Sequence, residues 1–97
     1  MLKKQKRIVD RDLIESVRLQ GCLIGVACAG PIDVDHVTTQ GAGGGDTVCN
    51  LMPLCRLHHT EKGFGYSKMI KKYPNYLKWL LDNNRHDVIL KAIKSGR

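Results

Sequence analysis

The stretch IDVDHVTTQGAGGGDTVCNLMPLCRLHH, from Ile32 to His59, decides how this chain is read. It sets Asp35 beside His36, follows them with small residues from Gly41 to Gly45, and then brings Asn50, Cys55 and the pair His58-His59. Ile32 to Val37 carries the β-branched Ile32, Val34 and Val37 behind Gly30 and Pro31, which predicts a short strand. Residues 38–47 are threonine, glycine and polar groups, and read as a loop. TVCNLMPL predicts a second strand or extended segment, limited by Pro53, which has no N–H to give to a ladder. A helix is expected to begin near Cys55 to Leu57, run past Lys62 and halt at Gly63 or Gly65.

Upstream, Val9, Leu13 and Val17 recur at helical spacing with Ile14 alongside, Asp10 fits an N-cap and Gly21 a stop, so a helix is predicted over about 11–20. CLIGVACAGPIDV, broken by Gly25, Gly30 and Pro31, reads as a knuckle leading into the first strand. Downstream, Ser67 is expected to cap a short helix, KMIKKY. Pro74 fits the first turn of the next, NYLKWLLDNN, with an apolar stripe of Tyr76, Leu77, Leu80 and Leu81. HDVILKAIKSGR predicts a last helix with Val88, Ile89, Ala92 and Ile93 on one face. Trp79, among leucines, is expected in the core. The order is helix, strand, loop, strand, helices, an α+β class.

A chain of 97 residues is one domain at most and buries only roughly 60–65% of its unfolded surface, so a metal staple is a natural aid to a thin core. Sixteen basic against nine acidic residues give +7, which favours a polyanionic partner, nucleic acid before membrane. No apolar run approaches the ~20 residues that span a bilayer, and no apolar segment follows the basic start MLKKQKRIVDRD as in a signal peptide. Four cysteines without such a signal point to a reducing, cytoplasmic setting, where they serve as metal ligands or core residues.

The chemistry of the central stretch follows from its side chains. Asp35 offers a hard oxygen ligand, and His59 a second ligand from a helix packed on the strands. Neighbours on a strand face opposite ways, so Asp35 and His36 serve one site only where the strand curls or ends. A divalent ion on Asp35 and His59 suits phosphate-ester chemistry, with His36 as general base and Asn50 fixing its loop through an amide that both donates and accepts.

D-H-V, a Gly-rich loop and N-L-M-P-L-C-R-L-H-H-T-E-K together resemble the HNH endonucleases and their ββα-metal (His-Me finger) fold. Fourteen positions separate His36 from Asn50 and nine separate Asn50 from His59, as in that family, and Lys62 falls where it often carries a lysine. The resemblance covers roughly residues 22–66, leaving 1–21 as a basic arm and helix and 67–97 as C-terminal helices of one domain. It implies metal-dependent hydrolysis of DNA, nicking or cutting both strands, with Mg2+ or Mn2+ on Asp35 and His59, His36 as base and Asn50 orienting it. It also implies a small stand-alone protein of phage or prophage type, acting in the cytoplasm of a bacterial or phage-infected host. Many such domains carry two cysteine pairs for zinc, and here Cys22, Cys28, Cys55 and His58 would be the set. The upstream pair is spaced C-x5-C instead of C-x2-C, so four core thiols remain the alternative. Cys49 is a rival ligand or a small buried residue.

GAGGG is not followed by the Lys-Ser/Thr of a P-loop and reads as a flexible connection small enough for a DNA backbone to approach. The arm residues Lys3, Lys4, Lys6 and Arg7, with Lys62, are the candidate phosphate contacts. Lys68, Lys71, Lys72, Lys78, Arg85, Lys91, Lys94 and Arg97 either track phosphates or form a solvated face. A rival from another class is a zinc-stapled DNA-binding module without chemistry. Hydrolysis of RNA or branched DNA is a further alternative. If the charge serves DNA, log K should fall against log salt with a slope of roughly −3 to −5, and removing the arm should flatten it. A slope near zero in a fluorescence titration would mean that the charge binds no phosphate.

Overall fold

Asp10 accepts a hydrogen bond from the backbone N–H of Leu13 (3.0 Å) and so starts helix α1, Arg11–Leu19. This structure, a computed structural model, describes residues 8–95; the basic arm at Lys3, Lys4, Lys6 and Arg7 lies outside them, as does Arg97. After α1 come β1 (Ile32–His36), β2 (Leu51–Cys55), α2 (Arg56–Lys62), α3 (Tyr66–Lys72), α4 (Pro74–Asp82) and α5 (His86–Ser95). Short 3-10 turns at Gln40–Ala42 and Val48–Asn50 lie between the strands. The fold is α+β, as its order of elements predicts.

The strands pair antiparallel, from Ile32 against Cys55 to His36 against Leu51. Pro53 sits within this ladder rather than ending it. Its carbonyl accepts from the Leu23 N–H (3.0 Å), on the side away from β1, so the hydrogen that proline lacks is one β1 does not need. Directly opposed residues share a face. Asp33 and Asp35 therefore lie with Leu54 and Met52 toward the later helices, while His36 lies with Leu51 on the other face. On the first face Met52 and Leu54 join Ile24, Val37, Met69, Tyr76, Leu80 and Val88 in the core. Trp79 packs against it, as expected.

Three local expectations change. Gly65, not Ser67, stands at the start of α3, and Ser67 lies inside the helix. Ile93 is exposed; the buried face of α5 is Val88 and Ala92. The glycine run is only partly open: Gly41 and Gly43 have free space at a Cβ, and Gly44 does not. A Cβ on Gly44 would lie 1.9 Å from the Thr38 carbonyl oxygen and 2.9 Å from Asn50 Nδ2. Gly30 is likewise required, at a φ of 84°, because a Cβ there would stand 2.7 Å from that of Arg56.

Gly44→Ala should therefore force backbone apart and lower stability by about 1–3 kcal/mol, a fall in Tm of at least about 5 °C. Gly41→Ala, with open space at its Cβ, is the control. Equal melting curves for the two variants by calorimetry would contradict the packed loop.

Candidate functional site

Cys55 ends β2 and caps α2, where its sulfur accepts from the His58 N–H (3.5 Å) and the Ala29 N–H (3.5 Å). The knuckle at 22–31 is tied to the same helix start by Arg56 N–H to Pro31 O (2.8 Å) and Leu57 N–H to Ala29 O (3.1 Å). These bonds carry Cys22 and Cys28 to His58 despite their five-residue spacing. The Nδ1 of His58 stands 3.1 Å from Cys55 Sγ, 3.4 Å from Cys22 Sγ and 3.9 Å from Cys28 Sγ. All four ligand atoms lie within 4.8 Å of one another. Tetrahedral zinc, with bonds of about 2.3 Å to sulfur and 2.05 Å to nitrogen, holds such atoms about 3.5 Å apart. The four residues thus form a group that can bind a metal ion such as zinc.

The thiols of the group influence one another. Burial would push the Cys55 thiol up, but the N–H groups of His58 and Ala29 and the thiols of Cys22 and Cys28 bring it below its ordinary value. Desolvation and then the neighbouring Cys22 and Cys55 push Cys28 up to about 11. Thiols so crowded cannot all ionise without a bound cation. Cys49 is neither ligand nor buried: it is exposed, with its sulfur 3.6 Å from Thr47 Oγ1.

On the core face of β1, His59 is held between two carboxylates. Its Nδ1 lies 3.1 Å from Asp33 Oδ2 and its Nε2 3.3 Å from Asp35 Oδ1. Arg56 donates twice to Asp33 (2.7 and 3.0 Å), and these bonds hold its carboxyl down at about 2, against the opposing effect of burial. An ionised carboxylate only accepts, so the Asp33 contact places a proton on Nδ1 of His59. In the neutral ring the lone pair of Nε2 then faces Asp35, an acceptor facing an acceptor. A hydrogen on Nε2 or a cation between the two atoms removes the conflict. Two ligand atoms at right angles around Mg2+ stand about 3.0 Å apart, close to the distance here.

Asp35 is buried, and Lys62 balances its charge, donating to Oδ1 (3.2 Å) and standing 3.0 Å from Oδ2. Lys62 is not aligned to hydrogen-bond Oδ2, so that oxygen and the Tyr76 hydroxyl are both buried without a hydrogen bond. Burial first, then the Asp35 charge, push the Tyr76 phenol up. Asp35 and His59 thus bring an oxygen and a nitrogen within 3.3 Å of each other, with the Lys62 ammonium on the same carboxylate.

His36, the last residue of β1, lies on the other face, its Nε2 2.7 Å from Asp46 Oδ1. Asn50 makes its bonds to the loop, not to His36. Its Oδ1 accepts from the Thr38 N–H (2.7 Å) and its Nδ2 donates to Thr38 O (3.1 Å) and Gly45 O (2.9 Å). It secures the segment that presents Asp46, and Asp46 meets the imidazole. Arg85, expected among the phosphate-facing or solvated basic residues, is buried. It donates to Asn50 Oδ1 (3.0 Å), Cys49 O (3.0 Å) and Thr38 Oγ1 (2.8 Å).

Comparison with family models, curated proteins and solved structures gave no match. Among the described residues no helix is long and apolar enough to cross a membrane. Three residues of the site were not singled out from the sequence: Asp33, Asp46 and Arg56. Asp33 had a signal, since positions two apart on a strand share a face with Asp35. Asp46 had none.

Protein purified without chelator should carry one tightly held ion per chain at the cysteine group, read by elemental analysis. Cys55→Ser should lose it and melt at a markedly lower temperature, whereas Cys49→Ser should change neither. Ligand thiols must deprotonate to bind, so acid should release the ion. Full metal content in Cys55→Ser would break the assignment.

Proposed function

We propose that the protein is a metal-dependent endonuclease that hydrolyses phosphodiester bonds of DNA through a ββα-metal unit made of β1, β2 and α2. The observation that carries the reading is His59 between Asp33 and Asp35, with its Nδ1 3.1 Å from Asp33 Oδ2 and its Nε2 3.3 Å from Asp35 Oδ1. Asp35 and His59 would hold Mg2+ or Mn2+, which when bound neutralises charge on the phosphate and stabilises the leaving alkoxide. His36 takes the proton of the attacking water as general base. Asp33, itself clamped by Arg56, fixes the orientation of His59 as a carboxylate behind a metal-binding imidazole does. Lys62 balances the buried Asp35 and adds positive charge beside the reacting phosphate.

The order of the elements supports this division of labour. β1 ends at His36, so the metal ligands and the base reach the end of the strand from its two faces. The +7 charge favours the nucleic acid backbone, and the arm at Lys3, Lys4, Lys6 and Arg7 is its natural contact. Zn2+ on Cys22, Cys28, Cys55 and His58 would staple the knuckle to α2 and steady the helix that carries His59.

One observation favours a second reading, a zinc-stapled DNA-binding module without chemistry: the Lys62 ammonium already stands on Asp35, where a cation would bind. Incubation with supercoiled plasmid separates the two. An endonuclease should nick or linearise it with Mg2+ or Mn2+ and stop in EDTA, while a binding module should only retard it. His36→Ala should lower the cleavage rate by at least about a hundredfold, with DNA binding and zinc content unchanged. Cleavage by that variant at near wild-type rate would remove His36 from the reaction.

A further inference from the structure

We infer that Asp46 sets the tautomer of His36 and makes Nδ1 the nitrogen that accepts the proton; the catalytic part of this rests on the reading of His36 as the base. The contact is short, 2.7 Å between His36 Nε2 and Asp46 Oδ1, and the two side chains are 15% and 2% exposed. A histidine and a carboxylate meeting on an open surface would share water and rotate; this pair is almost wholly enclosed. The second Asp46 oxygen accepts from the Asp10 N–H at 2.8 Å, at the start of α1. The Asp46 N–H donates to Ile8 O at 2.9 Å, and the carbonyl of the preceding Gly45 is held by Asn50 Nδ2 at 2.9 Å. The carboxylate is thus fixed on both sides before the imidazole meets it.

An ionised carboxylate has only lone pairs to offer, so the hydrogen of this contact belongs to Nε2. In the neutral ring Nδ1 then carries the lone pair. When Nδ1 takes a proton from water, the imidazolium that forms keeps its Nε2–H on a buried anion, which stabilises it. Asp46 is therefore a positioning residue: it touches no substrate and acts through His36.

Asp46→Asn tests this with little change of shape. The Asp10 N–H still needs an acceptor, so the Asn oxygen stays there and its NH2 turns toward His36. A donor facing Nε2 drives the ring hydrogen to Nδ1, and the base is lost. Nitrogen-15 NMR of the full-length, zinc-loaded chain, at a pH where the ring is neutral, should show His36 as the Nε2–H tautomer in the wild type and as Nδ1–H in Asp46→Asn. With supercoiled plasmid and Mg2+, kcat should fall by at least about a hundredfold in the variant, with KM changed little. A wild-type ring in the Nδ1–H form, or a variant that keeps the Nε2–H form and the rate, overturns the inference. If Asp46→Asn does not fold, the wild-type tautomer alone decides. If the wild type cleaves nothing with any divalent ion, the endonuclease reading fails, while the spectra still show whether Asp46 holds the proton on Nε2.

Discussion

The side chain of Asn50 spends all its hydrogen bonds inside the protein, and much of the structure follows from where they go. It takes the N–H and carbonyl of Thr38 at one end of the interstrand loop and the carbonyl of Gly45 at the other. That closes the loop as a strand partner would, in a place where no ladder is possible. Gly44 must lack a side chain because the chain passes so close to this amide. Arg85 then caps the arrangement from the start of α5, its charge balanced by Asp87 (3.0 Å). A buried polar network of this kind is stable because each member is satisfied, and leaving any one unpaired costs more than the mean hydrogen bond is worth. The C-terminal helices are therefore part of the interstrand loop's architecture and not an appendage to it.

The opposite end of the sheet is organised by a different chemistry. Cys55 closes β2 and opens α2, and the knuckle brings Cys22 and Cys28 over it. A chain this small has few large apolar side chains to spend on holding an irregular segment such as 22–31 in place, and short backbone bonds to α2 with the contacts of Cys22 and Cys28 to His58 do so instead. His58 also sets its ring edge against Tyr73, with centroids 5.1 Å apart, which joins the cluster to the junction of α3 and α4. The two polar centres thus brace the two ends of β2, whose middle is apolar and wholly buried.

Between them, β1 divides its charged residues by face. Asp33 and Asp35 look toward α2, where His59, Arg56 and Lys62 answer them; His36 looks toward the start of α1, where Asp46 answers it. His59 has Asp33 on Nδ1 and Asp35 on Nε2, whereas His36 has Asp46 on Nε2, so the carboxylates hold both rings in fixed orientations. For the proposed reaction that means one ring set up to bind a cation and the other to take a proton.

The elements follow from short-range signals along the chain. Asp10 as a cap, Pro74 in a first turn, and the strand, loop, strand, helix order from Ile32 to Lys62 were all legible, because caps, fixed φ angles and apolar spacing act over a few residues. The sequence also named the four members of the cysteine group, although their spacing alone left core thiols open. What only the tertiary structure decided were the partners. Arg85 looked like surface charge because nothing nearby in the chain reveals a buried acceptor 35 residues away. Asp46 looked like a polar loop residue because its meaning depends on how the glycine run folds back. Cys49 looked like core and is exposed. Local sequence fixes backbone conformation through short-range sterics and hydrogen bonding, but the pairing of one side chain with another across a loop depends on the path of the chain between them.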